Sequence, residues 1–242
     1  MDNMLTFQDL NLKDEIIQAI DDLGFEEPTP IQKAAIPIMM TGEDIIGQAQ
    51  TGTGKTAAFG IPILNSLSPE SRNPQALILT PTRELAIQIT DELRKFSKYL
   101  PGIRSLAIYG GQPIERQIKA LRTGVQIIAG TPGRLLDHIR RKTIKLSDVK
   151  IVVLDEADQM LDMGFLEDIE SILNETPAQR QTVLFSATIP REIREIAKNY
   201  QKDPKTVKVV HEKLTVPLVE QFYYEVRPNE KLEVLDRKST RL

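Results

Sequence analysis

The chain has 242 residues, 40% of them apolar and 27% charged, which suits one large soluble domain, or one domain with a piece of another, and excludes a disordered chain. It contains no cysteine and two histidines, His138 and His211, so disulfides, thiolate nucleophiles and cysteine-based metal sites are excluded and a zinc site is not expected. A net charge of −3 and 5% aromatic residues with no Trp supply neither a global cationic field nor a base-stacking platform, so any grip on nucleic acid must come from local groups.

No apolar run approaches the roughly 18 to 20 residues of a membrane span. The acidic start Met1-Asp2-Asn3 is not that of a signal peptide. A cytoplasmic location without membrane contact is therefore expected. Residues 5–23 predict an amphipathic helix, with Leu12, Ile16, Ile17, Ile20 and Leu23 at helical spacing and Gly24 ending it. The stretch from Phe25 to Gln32 contains Pro28 and Pro30 and reads as a rigid turn into a helix carrying Ala34, Ala35, Ile38 and Met39. Taken alone, Gln32 says little: it reads either as a solvated residue in the first turn of that helix or as part of a site.

The next stretch organises the chain. Asp44-Ile45-Ile46-Gly47 predicts a strand, Ala49-Gln50-Thr51-Gly52-Thr53-Gly54-Lys55-Thr56 a glycine-rich loop, and the residues from Ala57 a helix. That order is what a phosphate cradle requires. Gly52 and Gly54 let successive backbone N–H groups face one anion, and the helix beginning near Gly54 adds the positive end of its dipole. Lys55 would reach the outer phosphates and the Thr56 hydroxyl would face Mg²⁺. The pattern GxxxxGK[ST] is met except at its first position, where Ala49 suits a residue with negative φ.

Beyond the loop, apolar strand candidates alternate with helical segments. The strands fall at 76–79, 105–109, 125–129, 151–154 and 182–185, and the helices near 82–99, 113–121, 132–141, 163–174 and 190–199. Repeated βα alternation with apolar, β-branched strands predicts a parallel sheet with helices on both faces, whose ligands bind beyond the carboxyl ends of the strands. Three such ends run into Thr or Ser, then Pro, then a helix: Thr80-Pro81-Thr82-Arg83, Thr131-Pro132-Gly133-Arg134 and Ser186-Ala187-Thr188-Ile189-Pro190. Locally these read as helix caps with Pro near the first helical position. The same helix starts are also anion sites, to which Arg83 and Arg134 could add charge-assisted bonds to phosphate. Gly110-Gly111 reads either as a simple turn or as a further close backbone approach. The strand 151–154 ends in Asp155-Glu156-Ala157-Asp158, carboxylates that are either solvated on a loop or face a cation. With the phosphate loop upstream, Asp155 is placed to hold Mg²⁺, directly or through water, and Glu156 to polarise a water in line with the terminal phosphate.

Taken together, Gly24-Phe25, Pro28 to Gln32, Ala49 to Thr56, Pro81 to Ala86, Gly110-Gly111, Thr131 to Arg134, Asp155 to Asp158 and Ser186 to Thr188 resemble the DEAD-box family of ATP-dependent RNA helicases over about residues 5 to 210. The resemblance extends to Ala49, which is common in this family's phosphate loop. It implies a RecA-like P-loop NTPase domain with ATP and Mg²⁺ as cofactors and catalysis through Lys55, Asp155 and Glu156. It also implies that Gln32 reads the adenine edge, that Phe7 packs on the base, and that the turn from Phe25 supports them, which favours ATP over GTP. Pro81, Thr82, Arg83, Gly110, Gly111, Thr131, Pro132, Gly133 and Arg134 would meet the sugar-phosphate backbone of single-stranded or duplex RNA. Ser186 and Thr188 would form a hydrogen-bonded link with Asp158.

The resemblance implies two RecA-like domains in the catalytic unit, of which residues 1–210 would be the first. Residues 211–242 are expected to be an interdomain linker, from Val216 to Val226, and a truncated start of the second domain, with Lys231 to Leu235 opening its first helix. The final Lys238 to Leu242 departs from the pattern. The leading expectation is the ATP-binding half of an RNA-dependent ATPase that locally unwinds RNA or remodels ribonucleoprotein, with little turnover on its own. A non-catalytic ATP-dependent RNA clamp and an unrelated P-loop ATPase are the alternatives.

Overall fold

The computed structural model describes residues 5–209. Seven strands form one sheet: β1 (Ile45–Gln48), β2 (Ala76–Leu79), β3 (Ser105–Ile108), β4 (Ile127–Gly130), β5 (Ile151–Leu154), β6 (Gln181–Ser186) and β7 (Lys205–Lys208). Their order is β3-β4-β2-β5-β6-β1-β7, and every neighbouring pair is parallel. Nine α-helices lie among the described residues: α1 (Asp14–Asp22), α2 (Pro30–Met40), α3 (Lys55–Ser66), α4 (Arg83–Phe96), α5 (Ile114–Arg122), α6 (Pro132–Arg140), α7 (Ala157–Asp162), α8 (Leu166–Asn174) and α9 (Arg191–Tyr200). This is the expected RecA-like α/β fold.

The central strands are apolar throughout because both of their faces are covered. Alternate residues of one strand serve two cores. Ala76 and Ile78 of β2 pack with Phe59, Ile89 and Phe96 from α3 and α4, while Leu77 and Leu79 pack with Leu135, Ile169 and Ile193 from α6, α8 and α9. The parallel arrangement delivers the carboxyl ends of β1, β2, β4, β5 and β6 to one edge, so the loops that follow them meet there.

Three local expectations change. The helix expected over 5–23 is a 3₁₀ turn, Gln8–Leu10, followed by α1. Between them Asn11 is left-handed (φ 56°), a conformation Asn tolerates better than most residues, and the Lys13 N–H donates to Asn65 Oδ1 at 2.8 Å. Leu10 and Leu12 are buried on either side of this break, so packing of both overrides the helical pattern. The acidic run after β5 is divided, because Asp155 and Glu156 precede helix α7 while Ala157 and Asp158 begin it. An edge strand, β7, was not legible in Lys205-Thr206-Val207-Lys208, where Val207 alone is buried. The linker and second-domain start expected over 211–242 lie outside the described residues.

Candidate nucleotide site and the neighbouring sheet edge

The sheet continues one residue past β1, where the Ala49 N–H donates to the Ser186 carbonyl at 3.1 Å. Ala49 is buried and is not among the residues with positive φ, so a small side chain fits there. The loop then turns through Gly52 (φ 77°) and Gly54 (φ 92°) and enters α3 at Lys55. At Gly54 the requirement is double. The backbone is left-handed, and an added Cβ would stand 2.5 Å from Gln32 Nε2 and 3.0 Å from Thr29 Oγ1. The Thr53 hydroxyl closes the loop by donating to the Gln50 carbonyl at 2.8 Å.

Gln32 is not solvated. It is fully buried and acts as a latch: its Oε1 accepts from the Thr29 N–H (3.0 Å) and its Nε2 donates to the Gly54 carbonyl (3.1 Å). The Thr29 hydroxyl donates to the Thr53 carbonyl at 3.0 Å, so the start of α2 holds the phosphate loop by two bonds. Phe7 belongs to the core, edge-on to Phe25 with ring centroids 6.4 Å apart, and Phe25 is likewise edge-on to Phe96 at 5.8 Å.

Lys55 and Asp155 are both buried, with Nζ 3.6 Å from Oδ1. Burial pushes the Asp155 carboxyl up to about 6; the Lys55 charge opposes this and the Glu156 charge adds to it. Glu156 is left-handed (φ 53°), an uncommon conformation for a non-glycine residue, and its N–H donates to Asp155 Oδ1 at 3.1 Å. Both carboxylates line a cavity of about 320 Å³ together with Thr51, Gly52, Gly54, Lys55 and Thr56. The remaining walls are Leu85, Gln88 and Glu92 of α4, which sequence reasoning missed. Their spacing puts them on one helix face, but attention to the start of α4 hid its flank. Burial raises the Glu92 carboxyl, partly offset by the Thr56 hydroxyl beside it. A second cavity of about 470 Å³ shares Gln88 and Glu92 and is floored by Leu23, Phe25 and Phe96.

Asp158, Ser186 and Thr188 meet at the carboxyl ends of β5 and β6. Asp158 Oδ2 accepts from the N–H and hydroxyl of Thr188 (2.9 and 2.8 Å), while the Asp158 N–H donates to Ser186 Oγ at 3.2 Å. Burial raises the Asp158 carboxyl, but these bonds outweigh it and hold the group below its ordinary range. Of the three hydroxyl-proline edges, only Thr82 caps a helix through its side chain, accepting from the Leu85 N–H at 3.3 Å. Pro132 alone occupies a first helical position, whereas Pro81 precedes the cap and Pro190 is itself the cap residue. The local reading as three similar caps is thereby corrected, because Ser186 and Thr188 are spent on Asp158.

The two arginines differ. Arg83 is exposed, ion-paired with its neighbour Glu84, and lies beside Gly111, where an added Cβ would stand 3.8 Å from Nη1. Arg134 is half-buried and donates to the Gln112 carbonyl at 3.0 Å, beneath the Gly110-Gly111 loop. Gly111 itself is left-handed (φ 85°). Pro81 and Pro132 are buried, Gly110 and Gly133 exposed, and Thr82 and Thr131 half-buried at the starts of α4 and α6.

The family model described as DEAD/DEAH box helicase matches residues 29–196. The chain is 54% identical over 234 residues to the DEAD-box ATP-dependent RNA helicase CshA of Geobacillus kaustophilus, covering 97% of this chain and 50% of that protein. Against the Bacillus subtilis protein of the same name, identity is 54% over 233 residues, covering 96% and 47%. The chain thus spans about half the length of the curated relatives it matches. A crystal structure of a DEAD box protein from Methanococcus jannaschii superposes with a TM-score of 0.82 at 46% identity, over 96% of this chain and 62% of that one.

Proposed function

The chain belongs to the DEAD/DEAH box helicase family, and from that premise we propose that it is the ATP-binding half of an RNA-dependent ATPase that locally unwinds RNA or remodels ribonucleoprotein. The observation that carries the reading is the buried Lys55–Asp155 pair, 3.6 Å apart, with Glu156 on the same cavity at the start of α3. Lys55 would leave Asp155 for the outer phosphates once nucleotide enters. Backbone N–H groups of the loop would hold the inner ones.

The Thr56 hydroxyl and Asp155 carboxylate are hard oxygen donors of the kind Mg²⁺ takes alongside phosphate and water, so the residues fit this ion. When bound, Mg²⁺ would neutralise charge on the β- and γ-phosphate oxygens. Glu156 would orient the attacking water and accept its proton. Gln32 spends one amide hydrogen and one lone pair on the protein, which leaves one of each for an adenine edge. Because the same amide holds Gly54, base recognition and loop conformation would be coupled.

The starts of α4 and α6, Arg83, Arg134 and the Gly110-Gly111 loop would take the RNA sugar-phosphate backbone, which carries no sequence information. The Asp158–Ser186–Thr188 link would transmit between this edge and the nucleotide. The reading includes a cytoplasmic location; among the described residues no helix is long and apolar enough to cross a membrane.

Among the described residues no arginine lines the nucleotide cavity, and Lys55 is its one cation. An arginine supplied by a facing domain is worth about 10³ to 10⁵ in rate at such sites. Turnover by this chain alone is therefore expected to be very slow. The test is phosphate release at saturating ATP, with and without poly-U RNA, beside a version carrying a second RecA-like domain. RNA-stimulated turnover on the order of 1 s⁻¹ by this chain alone would overturn the account. Absence of turnover in the two-domain version would favour the RNA clamp.

A further inference from the structure

We propose that Gln117 and His138 are positioning residues that lock Arg134 and the Gly110-Gly111 loop into one phosphate-binding unit. The proposal rests on the reading of this edge as the RNA contact. Both side chains are buried, Gln117 at 2% exposure and His138 at 0%, on α5 and α6. Polar groups this deep need partners, and theirs converge. Gln117 Nε2 donates to the Tyr109 carbonyl at 2.9 Å, and Gln117 Oε1 receives His138 Nε2 at 2.9 Å and Arg134 Nη1 at 3.4 Å. Arg134 Nη1 also donates to the Gln112 carbonyl at 3.0 Å. The loop is thus held at Tyr109 and Gln112, the residues on either side of Gly110-Gly111.

The bonding order follows from the amide. Its NH₂ must face the Tyr109 carbonyl, so its oxygen faces Arg134 and His138, and His138 must carry its proton on Nε2. Nδ1 is then an acceptor for the Thr143 hydroxyl at 2.7 Å, whose one proton it shares with the His138 carbonyl at 3.1 Å. Burial and the Arg134 charge hold the ring below its ordinary pKa, which keeps it neutral near pH 7. His138 therefore braces Gln117 without adding a second cation, and Arg134 keeps the rest of its five donors for phosphate. A glycine pair has little conformational preference of its own, so its geometry depends on anchors at its flanks.

The experiment uses the whole chain and a single-stranded poly-U oligonucleotide, with affinity read by fluorescence anisotropy at fixed low salt. A fluorescent ADP analogue reports on the fold. Gln117→Met, which keeps volume and deletes all three bonds, is expected to weaken RNA binding about tenfold while leaving ADP affinity unchanged. Gln117→Glu retains the acceptor for Arg134 and His138 but sets a carboxylate oxygen against the Tyr109 carbonyl, so it should recover only part of that loss. The double variant Gln117→Met/Arg134→Ala should lose less RNA affinity than the two single losses added, because part of the Gln117 effect acts through Arg134. Additive losses, or a Gln117→Met variant with unchanged RNA affinity beside a weakened Arg134→Ala, would overturn the proposal. If Gln117→Met fails to bind ADP, His138→Leu replaces it, with a severalfold loss expected and an unchanged RNA affinity counting against the proposal. An Arg134→Ala variant that binds RNA normally removes the RNA reading of this edge as well, so the two failures are told apart.

Discussion

The nucleotide cavity and the rim proposed to take RNA lie at the same sheet edge and are built in opposite ways. In the cavity Lys55 and Asp155, and behind its loop Gln32, are each buried, and each meets a specific partner. On the rim, the Arg83 and Glu84 side chains are 62% and 68% exposed and pair with each other in water. Burial makes the cavity residues individually costly to lose, since a partner left behind cannot turn to solvent. Exposure makes the contacts of Arg83 small, screened by salt and interchangeable, unlike those of the half-buried Arg134 beside it. One region is therefore suited to chemistry on a fixed group, the other to gripping a repeating polyanion.

The largest expected effect that tests this contrast is Glu156→Gln in a two-domain version. Removing the base should lower turnover by about 10² to 10⁴ while changing nucleotide affinity by only a few-fold, as judged by phosphate release and ADP-analogue titration. If turnover survives, another group positions the water. Next comes Lys55→Ala, expected to weaken nucleotide binding about a hundredfold, the loss of charge-assisted bonds to phosphate. Unchanged affinity in a fluorescence titration would show that the buried pair is merely structural.

The third prediction concerns pH. The folded Asp155 titrates near 6, above the ordinary 3.8, so between those values the folded chain binds a proton that the unfolded chain lacks. Stability attributable to this group therefore falls as pH rises through that window. Asp155→Asn should accordingly gain stability relative to wild type as the pH rises from 4 to 7.5, by an amount on the order of 2 kcal/mol, added to whatever constant difference the altered pairing with Lys55 makes. Thermal denaturation of both ligand-free proteins across that range measures it, and a constant gap would contradict the burial argument. The smallest effect is expected on the rim, where Arg83→Ala should weaken RNA binding less than tenfold and reduce the slope of log affinity against log salt by about 0.7. A scrambled RNA of equal length should bind equally at fixed salt; a strong sequence preference would mean that the rim reads bases.

Much of this arrangement was legible in the residue order. Gly52, Gly54, Lys55 and Thr56 stand between a strand and a helix, and the apolar runs of β2, β5 and β6 announce a sheet covered on both faces. Those signals are local: backbone freedom at glycine, side-chain periodicity and the chemistry of neighbouring residues are all properties of a short segment. Leu85, Gln88 and Glu92 escaped because a helix flank becomes a wall only when another element is packed opposite it. Gln32 said little alone for the same reason, its partner Gly54 being supplied by a different segment. Residue order by itself determined the parallel α/β fold, the glycine-rich loop between β1 and α3, and the edge of the sheet where the motif-bearing loops meet. Only the tertiary structure decided which polar groups are buried, and with that the raised Asp155 carboxyl, the Gln32 latch and the Gln117–His138 brace, because desolvation depends on everything that surrounds a group and not on its neighbours in sequence.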